Sequence, residues 1–454
     1  MKFRKLMMLL SVLLSVAGCG GENVSSDGNE LTFFQVANIL NDSIDKKAYD
    51  DFKLPFSIEN TNAKITYESS NESIISSTGE IYRTDKIEEV KLTATITYKG
   101  ETKKYDYNIR VMPKEKPIDK NRKITMAYIY NSKFDENQVS KIDILNYSFG
   151  TIKNNKLYVG YNDNLRFALG LRSKGLKVNL AIGGWGADGF SDAVLTEESR
   201  EIFVNSIIEA VKKYNFSGID LDWEFPGQTA GGLIKARSVD KINFTKFVKL
   251  LKSKLNQVDK NLLLTIAVGL GVENAYEIDK IKDDVDYLNL MTYDFGDWTT
   301  KKTTHHTNLY LSDMQPYSSA DKTVKAYQQK GMPLEKMVLG AAFYGRVSTT
   351  EPSDGDGRDL KYITHFAYKS YTDIKKELDN PESKFKQYYD DVAKSTWIYD
   401  GVTFISYDDE RSLIEKCKYI NEQGLAGIMF WELAQDKSYT LLTAINENIN
   451  LTLD

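Results

Sequence analysis

Residues 216 to 225, FSGIDLDWEF, carry Asp220, Asp222 and Glu224 at every second position of an otherwise apolar run. Side chains of a β-strand alternate between faces, so the three acids project one way and Ile219, Leu221 and Trp223 the other. Neighbouring carboxylates are costly to bury unless they share protons or meet a partner. The pattern fits the solvated face of an edge strand, a site for a hard cation such as Mg or Ca, or an acid/base pair. At ~3.3 Å per residue the Cα atoms of Asp222 and Glu224 stand about 6 to 7 Å apart. A carboxylic acid that keeps its proton beside a charged carboxylate can protonate the leaving oxygen of an acetal. Trp223, Phe225 and the aromatic residues described below favour a sugar groove over a metal site, and neither a metal nor a cofactor is expected. A proton shared between Asp220 and Asp222, and a Glu224 protonated near neutral pH, are the expected charge states.

Such acids need a rigid frame. Apolar, β-branched runs recur at ITMAYIY, ILNYSFG, KVNLAIGG, SGIDLDW, LLLTIAVGL, YLNLMTYDF, MVLGAAFYG and AGIMFWEL. Amphipathic stretches with helical spacing, such as SREIFVNSIIEAVKKYN, separate most of them. Near-continuous apolar strands alternating with helices predict a parallel sheet covered on both sides, and eight such units predict a closed (β/α)8 TIM barrel over residues 122–449. Active sites of such barrels lie at the C-terminal strand ends. The three acids, read as the last residues of the fourth strand before Pro226-Gly227, therefore point into the barrel mouth. Residues 347–401 break the alternation and are too long for a loop, which predicts an inserted α+β subdomain between strands seven and eight.

Ahead of the barrel the pattern differs. Residues 31 to 49 read as helical, and from Leu54 to Val111 short alternating segments follow. Lys91–Tyr98 and Tyr105–Val111 form a hairpin around KGET. The stretch 31–113 resembles bacterial immunoglobulin-like domains, implying a small all-β sandwich that acts as a spacer or binding module. Residues 114–121 are a charged, proline-bearing linker. The N-terminus, MKFRKLMMLLSVLLSVAGC, has a basic start and an apolar run too short to span a bilayer, which is a signal-peptide pattern. Val16-Ala17-Gly18-Cys19 resembles the bacterial lipobox. That implies a signal peptide over 1–18, lipid on Cys19, a linker over 19–30, and an exported lipoprotein held at the outer membrane or cell surface.

Composition bounds the rest. The 454 residues are 41% hydrophobic and 27% charged, as in a soluble globular protein. With 59 basic and 64 acidic residues the net charge is −5, which gives no global field for nucleic acid. Only Cys19 and Cys417 are present, so no disulfide framework is expected, and Cys417 falls in an amphipathic helical pattern as a core residue. Three histidines and no CxxC pair leave little for zinc. A monomer is expected.

The ordered motifs over residues 122–449 resemble glycoside hydrolase family 18. Asp220, Asp222 and Glu224 match the last three acids of its Asp-x-x-Asp-x-Asp-x-Glu motif, with Ser217 where the first acid stands. Ala181-Ile182-Gly183-Gly184-Trp185 matches its Ser-x-Gly-Gly motif without the serine. Met291-Thr292-Tyr293-Asp294, Phe343 to Arg346 and Trp431 complete the set. The resemblance implies a retaining reaction in which the substrate's own 2-acetamido oxygen attacks the anomeric carbon. Glu224 would protonate the glycosidic oxygen and then activate water. Asp222 would orient the acetamido group, Asp220 would tune Asp222, Tyr293 would hydrogen-bond the acetamido oxygen, and Trp431 would floor the reacting sugar. Gly183, Gly184, Trp185, Phe225, Met291, Asp294, Tyr128, Tyr344 and Arg346 would line the groove, as would Trp298. Trp397 and Tyr399 are expected to pack the insertion, and His305-His306 to hydrogen-bond within a loop. Ser217 and Ala181 are expected to remove polar support behind Asp220 and shift the pH profile. The implied substrate is β-1,4-linked N-acetylglucosamine in chitin or chitooligosaccharides. Cleavage of N-glycan cores and carbohydrate binding without hydrolysis are the alternatives, and the retained Glu224 speaks against the second.

Overall fold

A computed structural model describes residues 31–48, 54–114, 116–296 and 300–451. The signal peptide, Cys19, the 19–30 linker and Trp298 lie outside the described residues. Contacts divide the chain between Pro113 and Lys114 into two compact units.

In the first unit a helix runs from Phe33 to Ser43, opened by a capping box in which Thr32 and Gln35 satisfy each other's backbone N–H groups. The helix ends before the expected residue 49, because the chain turns extended at Ile44 and enters β1 (Lys47–Ala48). With β2 (Lys64–Ser69), β3 (Glu88–Tyr98) and β4 (Glu101–Val111) it forms one sheet in the order β1-β4-β3-β2. β1 runs parallel to β4 and the other pairs are antiparallel. Lys99 and Gly100, both at positive φ, make the tight β3–β4 turn. Val90, Leu92, Ala94, Ile96 and Tyr98 alternate inward along β3 and share a core with Val36, Ala37 and Leu40 of the helix.

In the second unit the barrel strands are β5 (Ile124–Tyr130), β6 (Ile144–Lys153), β8 (Lys177–Gly183), β9 (Gly218–Asp222), β10 (Leu263–Val268), β11 (Tyr287–Leu290), β12 (Met337–Ala342) and β18 (Gly427–Trp431). All pair in parallel, and β5 closes the ring by bonding both β18 and β6. β7 (Lys156–Tyr158) only extends β6 as a hairpin. Ile219, Leu221 and Trp223 join the apolar layer between the strands and the surrounding helices. A separate interior cluster, including Met126, Tyr128, Ala181, Leu263, Val338 and Met429, fills the barrel below the acids.

After β12 the chain builds a second, antiparallel sheet from β13 (Tyr344–Thr350), β14 (Tyr362–Ser370), β15 (Lys386–Asp390), β16 (Ser395–Tyr399) and β17 (Thr403–Tyr407), in the order β14-β13-β17-β16-β15. The insertion thus starts at Tyr344 and runs to Tyr407, wider than the 347–401 read from composition, because its first and last strands pair with each other and continue almost directly from the barrel. Trp397 and Tyr399 pack its core as expected. Cys417 is fully buried on the helix Glu410–Gln423. Just beyond β17, the buried Asp408 meets Lys416 at 2.7 Å and accepts from Thr307 and from the Ala342 N–H. One buried charge pair therefore ties the insertion's return to the end of β12.

Candidate active site

β9 ends at Asp222, two residues earlier than expected, and Glu224 stands in the turn just above it. Asp220 and Asp222 still share the inward face. Below them the Asp220 carboxylate accepts hydrogen bonds from Tyr128 Oη (2.9 Å), Thr265 Oγ1 (2.5 Å) and Asn289 Nδ2 (3.0 Å). Asn289 also donates to Tyr128 Oη at 2.9 Å. Burial pushes the Asp220 carboxyl up to about 6, against the pull of those donors. Asp222 is held well above the ordinary carboxylate range by burial and then by the charges of Glu224 and Asp220. No hydrogen bond joins Asp220 to Asp222 among the described residues, so the expected proton sharing takes the form of coupled charges. Asp222 Oδ1 is buried and has no hydrogen-bond partner among the described residues.

Glu224 makes no hydrogen bond to any described residue. Burial first, and the charge of Asp294 second, push its carboxyl up to about 8. Asp294 itself follows β11 at φ 60°. Its carboxylate accepts from Tyr344 Oη (2.6 Å) and from Arg346 Nε (2.6 Å) and Nη2 (2.7 Å). Although burial works against the charge, the Arg346 guanidinium and the tyrosine hold Asp294 below its usual range. The site therefore keeps one carboxyl protonated and a neighbouring one ionised, the arrangement from which acid and base roles follow. Tyr344 and Arg346 belong to β13, so they reach the site from the insertion, not from the end of a barrel strand.

The aromatic parts fall around this cluster. Among the described residues Tyr293 Oη meets only the weak Met429 sulfur at 3.9 Å, and burial with four nearby carboxylates keeps its proton on. The Trp431 ring stacks on Phe149 with centroids 5.7 Å apart, and Tyr128 and Tyr130 lie 6.0 and 6.4 Å away. Met291 is half-buried against the interior cluster. Phe225 is half-buried, with its ring beside Gly269. Trp185, two residues beyond the end of β8 at the C-terminal face, is 65% exposed.

Gly183 and Gly184 are fixed by their approach to β9. The Gly184 N–H donates to the Asp222 carbonyl at 2.8 Å, and a Cβ on Gly183, at φ 118°, would sit 2.1 Å from that oxygen. The pair lets β8 pass the end of β9 and fixes the Asp222 backbone. Gly183→Ala is expected to cost about 3 kcal/mol or more in stability, read from the denaturant midpoint. Ser217 also differs from expectation. It lies on the outward face at the start of β9, where its hydroxyl accepts from Arg172 Nε (3.0 Å) and the Val178 N–H (3.1 Å), so it does not stand behind Asp220. Ala181 does stand opposite Asp220 in the ladder and offers it no donor.

Thr265 and Asn289 join the site without belonging to any of the motifs. Each is the single polar inward residue in a run such as LLLTIAV or YLNLM, and that was their signal. Phe149, midway along β6, and Tyr368 of β14, stacked on Tyr344 at 5.1 Å, have no local signal in the sequence. His305 hydrogen-bonds Asp390 of the insertion at 3.2 Å, as a loop residue, while His306 reaches Asp294.

A closed parallel barrel with a protonated acid, an ionised neighbour and an aromatic floor at its C-terminal mouth defines a glycosidase-type site. The profile of glycosyl hydrolases family 18 matches residues 123–436, and the chain belongs to that family. An atrophied bacterial Ig domain profile matches residues 32–114. Chitinase A1 of Niallia circulans is 35% identical over 306 residues, covering 60% of this chain and 42% of that protein. Chitotriosidase-1 of Mus musculus is 32% identical over 337 residues, covering 67% of this chain and 71% of that one. Among solved structures, a family 18 N-acetylglucosaminidase from Paenibacillus barengoltzii superposes with a TM-score of 0.68 at 32% identity, over 72% of this chain and 99% of that chain.

Proposed function

We propose that the protein hydrolyses β-1,4 bonds between N-acetylglucosamine units of chitin or chitooligosaccharides, with retention and with assistance from the substrate's acetamido group. One observation carries this reading: Glu224 keeps its proton up to about 8, directly above an Asp222 whose buried Oδ1 lacks a donor. An unpartnered buried acceptor costs about 1–3 kcal/mol, which an acetamido N–H recovers. Tyr293 donates to the acetamido oxygen and Trp431 supports the sugar face. The Glu224 proton passes to the glycosidic oxygen as that oxygen leaves C1, and the acetamido oxygen bonds to C1 to form an oxazolinium ion facing Asp222. Water, deprotonated by Glu224, then opens the ring from the face the leaving group vacated. The resemblance to chitinases and to an N-acetylglucosaminidase supports the choice of sugar.

The test is incubation of the chain from residue 31 with chitin oligosaccharides and, separately, a high-mannose glycoprotein, following product anomers by NMR. Chitooligosaccharide cleavage with β-anomers first to appear is expected. Cleavage of the glycoprotein alone supports action on N-glycan cores instead, and no cleavage of either sinks the enzymatic reading.

The pH profile follows from the charge states. Glu224 must hold its proton, so kcat/KM falls as pH rises through about 8. Asp220 must carry negative charge to support the chemistry above it, so activity also falls as pH drops through about 6. Asp294→Asn removes the negative charge that raises Glu224, so the alkaline limb is expected to move down by about 0.5–1 unit in a kcat/KM profile.

The basic-apolar start ending in Cys19 supports export as a lipoprotein anchored at the outer membrane or cell surface, with the barrel acting as a monomer. Incorporation of labelled palmitate, lost in Cys19→Ala, tests the anchor.

A further inference from the structure

His306 is a buried imidazole that the proposed chemistry does not use, yet it touches the residue facing the acid. It is 1% exposed in the loop after β11. Its Nδ1 accepts the Asp294 backbone N–H at 3.4 Å and lies 3.8 Å from Asp294 Oδ1. Its carbonyl accepts the next N–H, of Phe295, at 3.0 Å. Its own N–H donates to Ser406 Oγ of β17 at 3.1 Å, and its ring lies 5.3 Å from that of Tyr344. Two consecutive backbone donors of the Asp294 turn are thus bonded to this one residue. The turn needs such support, because Asp294 is a non-glycine residue in the left-handed region.

We propose that His306 is a positioning residue that, as a neutral imidazole, locks the Asp294 turn and so sets the acid strength of Glu224. The inference rests on Glu224 being the acid of the proposed reaction. The groups around the ring are Asp294 after β11, Tyr344 and Arg346 of β13, Asp408 after β17 and Lys416 of the helix Glu410–Gln423. Burial first, with Arg346 and Lys416 adding to it against the two aspartates, pushes His306 down to about 4. At working pH its Nδ1 lone pair is therefore free to accept, which places the ring proton on Nε2. That atom is buried without a hydrogen-bond partner among the described residues. An imidazole kept at such a cost beside the turn is expected where function, not packing, selects it. A charged His306 would instead reverse both effects, repelling the Asp294 N–H and offsetting the carboxylate charge that raises Glu224.

The test follows the Glu224 carboxyl by infrared difference spectroscopy against pH, with the band assigned by its loss in Glu224→Gln, alongside kcat/KM profiles. His306→Leu removes the acceptor, and the Glu224 midpoint is expected to fall by about 0.5 unit or more, with the alkaline limb of kcat/KM following it. His306→Asn, whose amide oxygen can take the place of Nδ1, is expected to stay within about 0.2 unit of the parent protein. If His306→Leu does not fold, His306→Gln, whose acceptor is carried further from the backbone, is read in its place. A midpoint unmoved without the acceptor, or moved equally in His306→Asn, overturns the proposal. Absence of hydrolysis by the parent protein would sink the enzymatic reading alone, since the infrared midpoint needs no substrate.

Discussion

Glu224→Gln is expected to lower kcat on chitooligosaccharides by about 10²–10⁴-fold while leaving oligosaccharide binding close to unchanged. The amide keeps the shape and polarity of the protonated acid but has no proton to give to the glycosidic oxygen. A loss confined to KM would place Glu224 in binding and refute its role as the acid. The same substitution has a second readout in the free protein. The folded-state pKa of Glu224 is raised above its ordinary value to about 8, so its contribution to stability is fully present below the unfolded pKa and is lost as pH rises through about 8. Glutamine does not titrate. The Tm of Glu224→Gln relative to the parent protein is therefore expected to be higher at pH 9 than at pH 5.

Asp222→Asn is expected to lower kcat by about 10²–10³-fold, with a smaller change in KM. Its amide oxygen can still accept from an acetamido N–H, so ground-state contact survives. What disappears is negative charge facing the oxazolinium ion, which exists only as the reaction proceeds. Steady-state kinetics separate these effects, because an interaction realised only in the transition state lowers kcat and kcat/KM together. If KM rose with kcat preserved, Asp222 would be a binding residue, and the substrate-assisted scheme would lose its electrostatic partner.

The parts of this site that sequence exposed are those with a local signature. Period-two acids in an apolar run placed Asp220 and Asp222 on one inward face, and eight apolar runs separated by helices predicted the closed barrel. Tyr293, Asp294 and Trp431 sit at strand ends, where position in the chain already implies position at the mouth. What sequence did not show arises from tertiary approach. The need of Gly183 and Gly184 for positive φ comes from how closely β8 passes the Asp222 carbonyl. Ser217 was assigned to the support of Asp220 by motif spacing alone. A separation of three residues in a strand puts the two on opposite faces, a parity the motif comparison did not weigh. The donors to Asp220 come from β5, β10 and β11, and nothing local to FSGIDLDWEF specifies them.

The starting point of β13 has a consequence for how such an enzyme can be altered. Tyr344 and Arg346 are the first residues of the inserted sheet and also the groups that keep Asp294 ionised opposite Glu224. The Asp408–Lys416 pair anchors the other end of that sheet beside β12. Exchanging or trimming the subdomain would therefore remove the partners of Asp294 and with them retune the Glu224 carboxyl, so the inserted sheet and the acid strength of the site are inherited together.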